Sequence, residues 1–224
     1  MNIEEIYKLF DQIGSLTFAT VENGEPRTRI AHLFAHDSEG LYFRTMTVKP
    51  FYSQLKESGR VAICGIYPTT AYSHDQDGMP YFEPGYTISV SGNVREIDLE
   101  QLKAKAGENS MFALGVKDIE KYPAMTTFCL YQAAGEVFDF DFAMEKRDHK
   151  LKRTRFTIGG MAYPFRGVRI LDDCIGCGEC YEGCSFKAIS ESAGKYVIDS
   201  SRCDVCGDCS TICPANAIEV TNKD

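Results

Sequence analysis

"CIGCGECYEGC", Cys174 to Cys184, packs four cysteines into eleven residues, and "CDVCGDCSTIC", Cys203 to Cys213, repeats the spacing 29 residues later. Under that shift Cys174, Cys177, Gly178, Cys180, Cys184, Ala188 and Ile189 fall on Cys203, Cys206, Gly207, Cys209, Cys213, Ala217 and Ile218. Each copy reads C-x2-C-x2-C-x3-C, then a short apolar turn, then a strand-like run ("YVI", "IEV"). A unit of about 30 residues has too little core to fold alone, so a covalent or metallic staple must hold it.

Three staples compete. The N-terminus, "MNIEEIYKLF", is acidic and amphipathic with no apolar h-region, so no signal peptide is expected. No apolar run approaches the ~18 residues of a membrane span, and a soluble, cytoplasmic protein is expected. Reducing cytoplasm disfavours disulfides. Zinc sites usually pair two CxxC motifs across a spacer of a dozen or more residues. Cysteines at every third position instead let three thiolates converge on one compact cubane. Of the ten cysteines only Cys64 and Cys129 lie outside the tail, both in strand-like runs, where a small buried hydrophobe is expected.

The tail resembles the bacterial two-cluster [4Fe–4S] ferredoxins over residues 170–220, in which the fourth cysteine of each run serves the other cluster. Carried over by position, the resemblance implies that Cys174, Cys177, Cys180 and Cys213 hold one cluster. Cys203, Cys206, Cys209 and Cys184 hold the other. One departure stands out: Pro214 follows Cys213 as in the family pattern, but Ser185 follows Cys184. No ligand is lost, while the cover over the second cluster changes.

The first 150 residues differ in kind. "IEEIYKLFDQI" spaces Ile3, Ile6, Leu9, Phe10 and Ile13 at helical intervals, with Gly14 as its stop. "SLTFATV", "EPRTRIAHLF" and "LYFRTMT" alternate as half-buried strands do, with turns at Asn23–Gly24 and Gly40. "KPFYSQLKESG" is a short helix between Pro50 and Gly59. "RVAICGIY" and "YTISVSGNVREI" are further strands, "DLEQLKAKA" is a helix capped by Asp98, and "TTFCLYQAAGEVFDFDF" is expected as a hairpin around Gly135. Six or seven antiparallel strands with short helices suggest a barrel rather than a doubly wound sheet. Net charge is −8, which argues against nucleic acid as partner.

The order strand, turn, R-x-R strand, turn, "YFRTMTVKPFYSQL", strand resembles the FMN-binding split barrel of the pyridoxamine 5′-phosphate oxidase-like superfamily, including its nitroimidazole-reductase-type members, over residues 1–142. The resemblance implies FMN held where two protomers of a homodimer meet. The residues make chemical sense of it. Lys49 opens a helix, where free N–H groups and the dipole favour a phosphate. Thr45 and Thr47 offer hydroxyls beside it, and Arg27, Arg29 and Arg44 supply charge to a phosphate or flavin ring, converging once the second and third strands pair. The plain alternative is that these cations are solvated strand and turn charges.

"PTTAYSHDQDGMPYFEPG", residues 68–85, has no periodicity, and loops of that length are usually functional or disordered. Tyr72, His74 and Tyr81 could form a lid there, although a lone loop histidine is more often a surface residue. "EKRDHKLKRTR", Glu145 to Arg155, concentrates basic charge and reads as a solvated last strand and linker, or else as a dock for the acidic ferredoxin unit.

The expected architecture is thus a mostly-β barrel with short helices at 1–158 and a small α+β two-cluster ferredoxin domain at 159–224. No G-x-G-x-x-G follows a strand, so the fused clusters are the expected electron entry. The expected function is a flavin-dependent reductase, in which the clusters pass single electrons to FMN for reduction of a small molecule. A redox partner protein or low-potential donor would supply them. Two other classes stay open: an electron carrier or redox sensor without its own substrate, and a barrel that binds haem or a deazaflavin in place of FMN.

Overall fold

The computed structural model describes residues 1–67, 72–74, 76–78, 80–82, 85–140, 152–163, 166–200 and 202–222. The chain forms two compact units: Met1–Thr69, Thr87–Glu136 and Phe156–Tyr163 make the first, and Thr70–Tyr86, Val137–Arg155 and Pro164–Asp224 the second. The fold class is the one the sequence predicts, mostly β with short helices and a small α+β cysteine-rich unit. No helix among the described residues is long and apolar enough to cross a membrane.

Helix α1 (Ile3–Ile13) starts at a reciprocal cap. Asn2 accepts from the Glu5 N–H at 2.9 Å, and the Glu5 carboxylate accepts from the Asn2 N–H at 2.8 Å. The helix buries Ile6, Tyr7, Phe10 and Ile13. Strands β1 (Leu16–Glu22) and β2 (Glu25–Ala31) form a two-residue hairpin through Asn23 and Gly24, both at positive φ. β3 (Leu33–Asp37) and β4 (Gly40–Met46) form the next. Then come α2 (Pro50–Ser58), β5 (Arg60–Tyr67), β6 (Tyr72–His74), β7 (Pro80–Phe82), β8 (Gly85–Ile97), α3 (Leu99–Glu108), a 3-10 turn (Ser110–Phe112), α4 (Ala113–Lys121), β9 (Met125–Phe140) and β10 (Lys152–Ile158). The large sheet runs β2-β1-β5-β8-β9-β4-β3, with β10 also pairing β9. Phe18, Phe43 and Phe128 are fully buried beneath it. The Phe18–Phe43 rings cross edge to face at 5.1 Å and Phe43–Phe128 stack at 5.9 Å, contacts each contributing about 0.5–1.5 kcal/mol beyond the area they bury.

Three expectations need correction. "EPRTRIAHLF" is two strands, because β2 pairs β1 whereas β3 pairs β4. "TTFCLYQAAGEVFDFDF" is no hairpin around Gly135: its described part, up to Phe140, lies within the single strand β9. Gly135 is not a turn there; a Cβ on it would lie 2.4 Å from the Ser89 carbonyl oxygen and 2.5 Å from the Phe156 ring, so it marks a close approach of backbones. The stretch from 68 to 85 contains an antiparallel pair, β6 with β7. The end of the basic segment, Lys152–Arg155, lies in strand β10 (Lys152–Ile158), in line with its reading as a last strand, while residues 141–151 lie outside the described ones.

In the second unit β11 (Arg166–Ile170) pairs β14 (Ile218–Asn222), and β12 (Ile189–Ser192) pairs β13 (Lys195–Ile198). Two short helices, α5 (Glu179–Glu182) and α6 (Asp208–Ile212), each carry the third cysteine of a run. The repeat is visible in the backbone: Gly178 and Gly207, 29 apart, cap the two helices at φ 83° and 87°. Its apolar centre is small, built on Val168, Ile189 and Ile218 with Cys180.

Candidate functional site

The eight tail cysteines divide crosswise between two cavities. Cys174, Cys177, Cys180 and Cys213 line one, backed by Ile170, Ala217 and Ile218. Cys184, Cys203, Cys206 and Cys209 line the other, backed by Val168, Ile189 and Ile198. Each cavity therefore takes three cysteines from one run and the fourth from its copy. Among the described residues no three His, Cys, Asp or Glu side chains are gathered as they would be around a single ion; the thiols instead ring a space.

Backbone amides are aimed at the sulfurs. Ala188 and Ala217, the repeated alanines, donate to Cys184 and Cys213 at 3.4 Å, and Val205 donates to Cys203 at 3.4 Å. Such N–H···S bonds are the outer shell that tunes a thiolate-held cluster. Burial pushes the thiols of Cys180 and Cys203 up and that of Cys209 up to about 11. A bound cationic metal reverses that preference and holds thiolates. Four sulfurs around an apolar-backed cavity with amides behind them fit an iron–sulfur cubane. The Ser185 departure lies on this wall: Ser185 and Phe186 line the second cavity where the other copy has Pro214 and Ala215.

A second site lies in the first unit. Arg27, Arg29, Arg44, Thr45 and Lys49 line one pocket with Glu22, Thr28, Ile30, Ala31, Pro50, Phe51 and Gln54. Five of the six residues expected to bind flavin are gathered there, and Thr47 is left out, exposed on the turn before α2. The arginines meet by a route other than strand pairing, since β2 and β4 are not neighbours in the sheet. Lys49 is the N-cap of α2 with no side chain capping it; Pro50 has no N–H and the Tyr52 N–H donates to the Lys49 carbonyl at 2.9 Å, so the helix start offers an anion its dipole and the Lys49 ammonium.

The arginines differ in what already holds them. Arg29 donates to Thr20 Oγ1 at 2.7 Å and Gln54 Oε1 at 2.6 Å, and its guanidinium lies 4.2 Å over the Phe51 ring. Gln54, almost fully buried on α2, also donates to Glu22 at 3.2 Å. Arg27 pairs with the other Glu22 oxygen at 3.1 Å. Arg44 pairs with Asp118 on α4 and lies 4.7 Å over Phe34, and burial pulls its pKa below the ordinary arginine value. Thr20, Gln54, Phe51 and Asp118 are thus part of the pocket's support and escape sequence reading. Only Gln54 carried a signal, a polar residue on the face where Phe51 and Leu55 are buried.

The remaining expectations divide. Cys129 is buried, but Cys64 is exposed, because Val61 and Ile63 take the inward face of β5 and leave Ala62 and Cys64 outward. His74 is exposed, and the side chains of Tyr72 and Tyr81 lie outside those described, so the lid reading does too. The basic segment is not simply a solvated linker: Arg153 pairs with Asp204, and Arg155 donates to the Ser200 carbonyl.

Residues 173–218 match the 4Fe-4S dicluster domain family. The cysteine-rich tail thus carries an iron–sulfur signature. Over 47 residues the chain is 43% identical to a component of the ion-translocating oxidoreductase complex of Methanosarcina acetivorans, a match covering 21% of this chain and 18% of that protein. The chain therefore spans under a fifth of that relative's length. Among solved structures it is similar to a NimC/NimA family protein from Clostridium acetobutylicum, 14% identical with a TM-score of 0.49, covering 70% of this chain and 94% of that one. It is also similar to a pyridoxamine 5′-phosphate oxidase-related, FMN-binding protein from Nostoc punctiforme, 16% identical with a TM-score of 0.39, covering 69% of this chain and 95% of that one.

Proposed function

We propose that this chain is a cytoplasmic flavin-dependent reductase in which two [4Fe–4S] clusters supply single electrons to an FMN that reduces a small molecule. The observation that carries the reading is the crosswise division of eight cysteines between two cavities, in a chain that also gathers Arg27, Arg29, Arg44 and Lys49 in one pocket. A flavin suits such a pairing because it accepts electrons singly and delivers them as a pair.

The chain's own residues have distinct tasks. Cys174, Cys177, Cys180 and Cys213 hold one cluster and Cys184, Cys203, Cys206 and Cys209 the other, each set closed by the fourth cysteine of its copy. In the pocket Lys49 and the first turn of α2 bind a phosphate, with Arg27 adding charge at the rim. Arg29 is held by Thr20 and Gln54 so that its face, stacked on Phe51, stays fixed. Haem fits less well than FMN, since none of the described residues lining the pocket is a His, Cys, Met or Tyr able to ligate iron. A homodimer is part of the proposal, supported by large apolar side chains left outward in the single chain: Val21, Ile30, Val48 and Ile66.

Anaerobic purification followed by metal, sulfide and flavin analysis tests the reading. About eight iron and eight acid-labile sulfide per chain are expected, two four-thiolate cubanes, with one extractable FMN. Stoichiometric zinc without sulfide would overturn it. Clusters without flavin would move the chain to the electron-carrier class.

A further inference from the structure

The two cysteine runs are near copies, yet their charged surroundings differ. From Asp172 to Cys184 the first run holds four carboxylates, Asp172, Asp173, Glu179 and Glu182, and no cation. From Asp199 to Cys213 the second holds Asp199, Asp204 and Asp208 together with Arg202. Lys187, just past Cys184, stands where the other copy has Asn216. Strand β10 then brings two more cations. Arg153 pairs with the Asp204 carboxylate, and its guanidinium lies 4.8 Å over the Phe138 ring. Arg155 donates to the Ser200 carbonyl. Ser200 and Asp204 bracket Cys203, and Asp204 and Asp208 both line the cavity of Cys184, Cys203, Cys206 and Cys209, so the cations of β10 act against two carboxylates in its wall. At the matching positions of the first copy stand Leu171 and Ile175, and Ile175 is 68% exposed.

We propose that Arg153 and Arg155 set the order of electron uptake, making the cluster held by Cys184, Cys203, Cys206 and Cys209 the more readily reduced of the two. The inference rests on the reading that the eight cysteines hold two [4Fe–4S] clusters. Reducing such a cluster adds one electron, taken from a low-potential one-electron donor that is oxidised by the same amount. The added negative charge is stabilised by fixed cations close by, and more so where solvent screens them little. The Arg153 side chain is only 17% exposed. By pairing with Asp204 it also offsets a carboxylate in the cavity wall that would otherwise oppose reduction. An electron entering at the Cys174 run therefore moves on to the Cys203 run.

The test is a reductive titration of the full-length chain, anaerobic and followed by electron paramagnetic resonance, with iron and sulfide counted in every sample. Two distinct potentials are expected in the parent protein. Arg153→Gln and Arg155→Gln should each shift one cluster three- to tenfold toward its oxidised form, about 30–60 mV lower at 59 mV per tenfold for one electron, and leave the other in place. Arg155→Lys, which keeps the charge, should restore the parent value. Ile175→Arg puts a cation at the exposed matching position of the first run and should raise the other cluster, narrowing the gap without touching β10. Potentials that do not move in these variants, or that move equally in both clusters, would overturn the proposal. So would loss of iron in both glutamine variants combined with an unchanged gap in Ile175→Arg, which would leave the arginines a purely structural role. A parent chain lacking iron and sulfide would instead remove the two-cluster reading itself.

Discussion

Gln54 is a carboxamide 2% exposed on a nine-residue helix, and its three partners explain why. Its oxygen accepts from Thr20 and Arg29 at 2.6 Å each, and its nitrogen donates to Glu22. A buried amide so placed is satisfied and rigid, and it fixes the guanidinium beside it. Lys49 is the opposite case: exposed, at the N-cap of the same helix, and in no ion pair among the described residues. We therefore expect Lys49→Ala to leave stability near that of the parent while weakening FMN binding by about 1.5–3 kcal/mol, the range for hydrogen bonds to a charged group. Titration of the apoprotein with FMN, followed by quenching of flavin fluorescence, measures it, and unchanged affinity would show the phosphate to lie elsewhere. In the sequence Arg44 stood out because it interrupts an apolar strand, and Lys49 because it opens a helix, and the two line one pocket. Asp118 did not stand out, and Gln54 showed only as a polar residue on a buried helix face, because their partners lie on elements far away in the chain.

Strand β9 shows the same limit for whole elements. Its sequence alternates well enough to be read as strand, but the glycine at 135 suggested a turn, and only the neighbouring backbones reveal a close approach. Gly135→Val should destabilise the first unit severely, since its Cβ would sit 2.4 Å from a backbone oxygen that cannot move aside like a flexible side chain. Loss of soluble, cooperatively unfolding protein would be the readout, and a variant with parental unfolding would contradict the packing. The helices α1, α2 and α3 were legible from their caps and stops, whereas α4, with no side-chain cap, carried no such signal. Helix α3 is tied to the β3–β4 hairpin by Lys105, which donates to Asp37 at 2.7 Å and Glu39 at 2.9 Å. Burial alone would raise the Asp37 carboxyl, but the bonds from Lys105, the Glu39 N–H and Tyr42 outweigh it and hold the pKa below its usual value. A carboxyl depressed on folding contributes stability above its unfolded pKa, about 3.9, and loses it as pH falls through the folded value. Denaturant unfolding between pH 6 and pH 3 should thus show stability falling at the acid end, with a shallower fall in Asp37→Asn. Equal slopes in both proteins would remove Asp37 from the account.

At the scale of the molecule the tail was legible because its repeated spacing marks the eight cysteines and the resemblance to two-cluster ferredoxins implied the crossed sets that line the two cavities. The first unit reaches past β10 to Tyr163, whose hydroxyl donates to Glu136 at 3.0 Å, and it buries Phe156 and Ile158. A chain cut after Tyr163 therefore keeps the first unit's own core and its cationic pocket, and we expect it to fold and bind FMN. Dithionite, a small reductant, should still reduce that fragment's flavin. A protein donor that delivers single electrons should reduce it poorly, because the cysteine cavities are gone. Cys213→Ser in the intact chain is the finer cut. Cys213 belongs to the second run by sequence but lines the cavity of the first, so its loss should perturb the cluster of Cys174, Cys177 and Cys180 and spare the other. Stopped-flow spectra at cluster and flavin wavelengths separate the two effects. In the parent, cluster bleaching should precede or accompany flavin bleaching; in Cys213→Ser it should shrink by about half, one cluster of two, and flavin reduction by the protein donor should slow. If the fragment ending at Tyr163 turned over with that donor at the parental rate, electrons would not enter through the tail, and the clusters would serve a partner or a signal instead.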